Sequence, residues 1–209
     1  MKEKQDMKKR NIIRGFLVLV MVVMTGFFIN LEITKADEKN TENYHLIPWD
    51  DGQSGTYWMD GYLYWIDMKK KKISRYSDEE MTKEEVLVEA DKGTCIGECG
   101  LLYDDIIYYV LIDNKTHAGN LYSYNLKSRE SNKLGAAREL QRLEVLVDGK
   151  IYGCGYTKTG NPEVFLYDLK GKKLKQICKN GYFGQIVGKY IAIQTISSSG
   201  KSGMTLYRK

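Results

Sequence analysis

The sequence predicts an all-β protein, a β-propeller of about four four-stranded blades, and three observations predict it. A phrase made of an apolar strand, a tight turn and an aromatic-rich strand occurs four times in the chain. A third strand with a tyrosine in register follows each phrase, and a shorter fourth strand follows the first three. Four strands per 40 to 45 residues is the arithmetic of a propeller blade, whose sheet cannot bury both faces and must stack against neighbours.

The four turns are Asp60-Gly61, Asp104-Asp105, Asp148-Gly149 and Gly188-Lys189. With Gly61, Asp105, Gly149 and Gly188 as anchors, the spacings are 44, 44 and 39 residues. Asp-Gly suits such a hairpin because a type I′ turn needs positive φ at both central residues. The flanking strands are expected at 56–59 and 62–67, 100–103 and 106–111, 144–147 and 150–154, and 185–187 and 190–193. The third strands end on Tyr76, Tyr124, Tyr167 and Tyr207, spaced by 48, 43 and 40 residues. Fourth strands are expected at 85–89, 131–134 and 173–178, and the chain ends before a fourth one. Residues 44–47, apolar in part and without a partner in the repeat, are therefore expected to close the last blade as its outer strand. The repeats lie near 56–90, 99–135, 143–178 and 184–209.

The N-terminus has a different character. Seventeen uncharged residues, 15–31, follow a basic stretch and contain the unbroken apolar run 16–24, which has no polar face. This is the pattern of an export signal at the lower limit of membrane-spanning length. Residues 1–36 are expected to be either a signal peptide cleaved after Ala36 or an N-terminal signal/anchor helix, with a linker at 37–43 before the repeat domain 44–209. In either case the basic flank places the remainder outside the cytoplasm, as a secreted protein or one held on the outer face of the membrane. Membrane contact is expected through this segment alone.

The whole chain carries 32 basic and 27 acidic side chains, but residues 1–36 hold seven of the basic and three of the acidic ones. The near-neutral remainder argues against nucleic acid as a partner. Four cysteines, Cys95, Cys99, Cys154 and Cys178, could form two disulfides in an oxidising compartment, in three pairings that the sequence leaves open. His45 and His117 show no ligand spacing with any cysteine, so no metal site is expected. No motif for a nucleotide, haem or flavin is present, and no cofactor is expected.

Within the first repeat, Asp60-Gly-Tyr-Leu-Tyr-Trp-Ile-Asp67 followed by Ile73-Ser-Arg75 resembles the repeat of the low-density-lipoprotein-receptor type of β-propeller. That repeat reads Asp-Gly-x-Leu-Tyr-Trp-Thr-Asp and then Ile-x-Arg, with Ile66 here in place of Thr. The resemblance spans about 56–209 and weakens after the first blade. It is also similar to exported propeller-repeat proteins of unknown function from Gram-positive bacteria. Receptor propellers of this type have six blades, whereas four repeats imply a four-bladed ring or an arc.

Catalytic patterns are scarce. Gly200-Lys-Ser202 lacks the earlier glycine of a phosphate loop, which is Thr195 here, and joins two expected strands. Ser198-x-x-Lys201 lies in a hairpin loop without companion motifs, and Gly52-Gln-Ser-Gly55 is out of register for a nucleophile elbow. Asp50-Asp-Gly52 lacks the alternating acceptors of a calcium loop. Most tyrosines, with Trp58 and Trp65, recur at blade-packing positions, so Trp49 is the first candidate for an exposed aromatic contact. Loops from second to third strands and from fourth to next first strands share one face of a propeller, where function concentrates. That face would present Lys69, Lys70, Lys71 and Lys72, the loop from Asp113 to His117, the loop ending at Asn161, and Lys201.

The expected function is an extracytoplasmic binding or scaffold module without catalytic activity, its partner an unknown protein or an acidic cell-surface polymer. One alternative is a lyase or hydrolase acting on cell-wall glycan through the loop face, with Asp113, His117 and Glu163 as its acid and base candidates. Another is a truncated derivative of a longer propeller.

Overall fold

The structure, a computed structural model, describes residues 44–47, 58–67, 69, 71–78, 80–157, 159–197 and 200–209. The expected signal and linker, and the expectations for Trp49, Lys70, Ser198 and residues 50–55, fall outside the described residues. Among the described residues there are seventeen strands and no helix. The described residues form one compact unit.

The strands are β1 (Tyr44–Ile47), β2 (Trp58–Met59), β3 (Tyr62–Asp67), β4 (Lys72–Tyr76), β5 (Glu84–Glu89), β6 (Thr94–Ile96), β7 (Gly100–Tyr103), β8 (Ile106–Asp113) and β9 (Gly119–Asn125). They continue as β10 (Glu130–Ala136), β11 (Leu140–Val147), β12 (Lys150–Tyr156), β13 (Pro162–Asp168), β14 (Lys173–Lys179), β15 (Gly181–Val187), β16 (Tyr190–Ile196) and β17 (Ser202–Arg208). They form four antiparallel sheets in chain order: β2 to β5, β7 to β10 with β6 and β1 added, β11 to β14, and β15 to β17. These are the four blades of a propeller-type fold.

The turns that set the repeat behave as their chemistry requires. Asp60 and Gly61, Asp104 and Asp105, and Asp148 and Gly149 all have positive φ, as a I′ turn demands. In the fourth turn Gly188 alone does. Each turn fixes the register of its hairpin, so Leu63, Ile107, Ile151 and Ile191 fall at corresponding buried positions.

Burial is concentrated between consecutive blades. Tyr64, Ile66 and Ile73 of blade one pack with Leu102, Ile107 and Tyr109 of blade two. Leu101, Val110 and Leu121 of blade two pack with Leu140, Leu143 and Phe165 of blade three. Val145, Tyr152 and Val164 of blade three pack with Ile191 and Ile193 of blade four. Among the described residues no such cluster joins blade four to blade one.

The expectation for residues 44–47 is corrected. Strand β1 does not complete blade four; it pairs antiparallel with β7 in blade two, with Tyr44 opposite Tyr103 and Ile47 opposite Gly100. The inner strand of blade two is broken, β6 pairing the far half of β8 and β7 the near half. The inner edge of β7 accepts β1. A Cβ on Gly100 would sit 3.7 Å from Ile47, an ordinary van der Waals contact, and a tighter 3.2 Å from the Tyr108 carbonyl oxygen of β8. Ile47 is fully buried, and β1 also touches β3 and β11. Burial against three blades is a stronger sink for this apolar segment than one open sheet edge.

Candidate functional site

Two of the loop-face candidates converge. A cleft of about 950 Å³ is lined by Thr116, His117 and Ala118 from the β8–β9 turn, Arg138 and Glu139 from the β10–β11 connection with Gln141 at the start of β11, and Tyr156, Thr157 and Glu163 around the β12–β13 turn.

The β8–β9 turn is built by Asp113. Its carboxylate accepts hydrogen bonds from the backbone N–H of Lys115 at 3.0 Å and of Thr116 at 2.7 Å, and from the Thr116 hydroxyl at 2.9 Å. The Thr116 hydrogen bonds hold the carboxyl below its usual range. Asp113 is thus a turn former and not an open acid or base. It delivers His117, whose φ is 56° and whose N–H donates to the Asp113 carbonyl at 2.8 Å. Gln141 fixes the far side of the turn by donating to the His117 carbonyl at 3.2 Å.

Glu139 faces the same cleft with its charge state set. Burial works against ionisation, but the ammonium of Lys173 at 2.9 Å and the Tyr167 hydroxyl at 3.3 Å outweigh it, so the carboxyl stays below its usual range. Glu163 accepts a hydrogen bond from Gln176 at 2.7 Å. Burial and the negative charge of Glu98 push the Tyr156 phenol up, so it remains a proton donor at neutral pH. Behind Tyr156, Arg142 pairs with Glu144 at 2.6 Å and Glu98 at 3.6 Å. Burial pushes the Glu98 carboxyl up despite Arg142.

The other candidates lie elsewhere. Lys69 is exposed in the β3–β4 turn. Lys71 shapes that turn with a φ of 56°, its carbonyl accepting from the Ala90 N–H at 2.9 Å. Lys72 is paired with Glu84 at 2.5 Å. Asn161 closes the β12–β13 hairpin by exchanging bonds with Thr157 and lines a separate cleft of about 300 Å³ toward blade four. Lys201 belongs to the β16–β17 hairpin, where its N–H donates to the Ser197 hydroxyl at 3.0 Å.

No disulfide joins the four cysteines. Cys154 and Cys178 both face Val164 from opposite sides in the register of blade three. Two inter-strand steps of about 4.8 Å separate them, beyond the reach of a disulfide.

Arg138, Glu139, Gln141 and Tyr156 escaped the sequence reading. Arg138 and Glu139 sit on a connection from a fourth strand to the next first strand, with Gln141 just inside that strand, and this connection shares the loop face by the same rule that selected His117. Nothing in the sequence singles out Tyr156 from the packing tyrosines.

No protein-family model matches the chain, and no curated protein matches it. Among solved structures, an oligogalacturonate lyase in complex with manganese is similar, with TM-score 0.55, 13% identity, and coverage of 72% of this chain and 46% of the lyase. The chain therefore spans less than half of that enzyme. A prolyl endopeptidase is similar at TM-score 0.47 and 11% identity over 88% of this chain and 33% of its own. An acylaminoacyl peptidase is similar at 0.46 and 13% over 85% and 32%. At such identities the likeness shows the fold, a propeller type. The expectation of a module without catalytic activity is corrected by the likeness at TM-score 0.55, which is to an enzyme, the oligogalacturonate lyase.

Proposed function

We propose that the chain is a glycan-active lyase that cleaves an acidic, uronate-containing polymer at the cleft between blades two and three. One observation carries this reading: the cleft gathers an imidazole, a guanidinium, a phenol held protonated and a carboxylate held ionised. Elimination from a uronate needs a cation against the substrate carboxylate, a base for the proton on the carbon next to it, and an acid for the departing oxygen. Arg138 supplies the cation. His117 takes the proton, the electron pair forms the ring double bond, and the glycosidic C–O bond breaks while Tyr156 gives its proton to the leaving oxygen. A hydrolase would instead need a protonated carboxylic acid near a second carboxylate, and Lys173 and Tyr167 keep Glu139 ionised.

The shared fold with an oligogalacturonate lyase supports this assignment. That enzyme was solved with manganese; among the described residues no group of three or more His, Cys, Asp or Glu could hold a metal ion. The donor set does not fit, and no step is routed through one. The basic and apolar N-terminus supports action outside the cytoplasm, where acidic wall and environmental polymers are encountered.

The test is ultraviolet absorbance of the unsaturated product formed from polygalacturonate. Replacing a positioned acid or base costs about 10²- to 10⁴-fold and removing a group that stabilises developing negative charge about 10²- to 10³-fold, so His117→Ala and Arg138→Ala should each lose about two orders of magnitude or more in rate. New reducing ends without unsaturation would establish hydrolysis and overturn the lyase reading.

A further inference from the structure

Blade four ends in an edge unlike the others. Blades one, two and three finish on β5, β10 and β14, and each of these outer strands carries charges, as exposed edges normally do. Blade four, three-stranded among the described residues, finishes on β17, whose only charge is the terminal Arg208. Met204 is 63% exposed and Leu206 58% exposed on one face of this strand, while the other face turns Tyr207 toward the core. Met204 lies beside Gln194 and Leu206 beside Ala192 of β16.

We propose that β17 pairs antiparallel with β17 of a second copy of this chain about a two-fold axis through Thr205. The two three-stranded sheets then become one six-stranded sheet. The register argues for this occupant. It sets Met204 against the partner subunit's Leu206 and Leu206 against the partner subunit's Met204, while Arg208 meets the uncharged Ser202 of the partner subunit. The same operation on the other outer strands sets like charges together: Glu84 against Glu89 in β5, Lys133 against itself in β10, and Lys173 against Lys179 in β14. Centred self-pairing therefore sets like charges together within the strand at three edges and none within β17, where the one like pair, Lys201 against the partner subunit's Lys209, lies beyond the strand ends. An edge strand with few charges, whose outer side has no partner strand among the described residues, is also one that main-chain hydrogen bonding to another strand satisfies well.

Sedimentation velocity of the full-length chain in mild detergent, over a concentration series, tests the proposal. The wild type should show a monomer–dimer equilibrium. Met204→Lys and Leu206→Glu each damage two symmetry-related cross-strand pairs and should weaken the dimer by about tenfold or more. The double variant faces each introduced lysine with an introduced glutamate of the other copy and should recover dimerisation. Both positions are exposed, so an unchanged melting profile separates lost association from lost folding. A dimer indifferent to the single substitutions would overturn the proposal. So would a monomer at every concentration, and if the β17 amides of that monomer resist hydrogen exchange, the edge is covered by the chain's own residues before Tyr44.

Discussion

Gly155→Ala tests how tightly the connection from blade two is held against blade three. Gly155 lies opposite Leu140 in the β11–β12 pair. An added Cβ would overlap the Glu139 carbonyl oxygen and sit 2.6 Å from the Glu139 carbonyl carbon and 3.4 Å from the Leu140 nitrogen. All of these are backbone atoms, so no rotamer change relieves the collision and the start of β11 must move. Overpacking costs about 1 to 3 kcal/mol, and a forced backbone shift belongs at the upper end. For a domain of this size about 3 kcal/mol lowers Tm by about 6 to 12 °C. Gly61→Ala is the control. Its Cβ would meet nothing within 4 Å, but its φ of 79° places an L-residue in the left-handed region, at a cost of about 1 to 2 kcal/mol. Calorimetric melts of both variants should place Gly155→Ala well below Gly61→Ala. Because Glu139 moves with β11, the variant should also lose the proposed lyase activity at temperatures where it remains folded. A Gly155→Ala melt within about 2 °C of wild type would refute the packing argument.

Three further outcomes follow from the same structure. Leu143, fully buried between blades two and three, should cost about 2 to 5 kcal/mol as Leu143→Ala, read as a shift in denaturation midpoint at constant slope. Lys72 and the Tyr76 hydroxyl hold the Glu84 carboxyl at about 2, below its ordinary 4.5. Its stabilisation is therefore complete above pH 4.5 and fades as pH falls toward 2, and after solvent screening amounts to about 1 kcal/mol or less. Glu84→Gln should flatten the stability slope in that window, and an unchanged slope would remove the pair from the account. Thiol labelling of the unreduced, unfolded chain should modify all four cysteines; in the native state Cys154 and Cys178, 3% and 5% exposed, should react far more slowly than Cys95 and Cys99.

The strands were legible because hairpin chemistry is local. Asp60-Gly61 and Asp148-Gly149 carry their φ requirements in the dipeptide, and alternation around them sets which side chains turn inward. The destination of β1 was not legible, since Tyr44-His-Leu-Ile47 could extend any open edge. Its choice depends on the break in the inner strand at Gly97–Cys99 and on how three blades surround one position. The site was half legible. His117 and Glu163 stood on loops that the repeat had already located. Arg138 and Tyr156 join them only through the packing of blade two on blade three, a contact that no local pattern encodes.

The placement of β1 has a mechanical consequence. Most strands added to a sheet sit at its rim, where a pull peels them away one hydrogen bond at a time. Here the earliest described residues are laced into the hub, against β3, β7 and β11, with Ile47 sealed inside. Tension arriving along the chain from upstream of Tyr44 is therefore delivered to the centre of the domain and shared among three blades. A domain carried on an N-terminal tether in that way would bear load through its core, while the outer edges of its blades stayed slack and available for contacts.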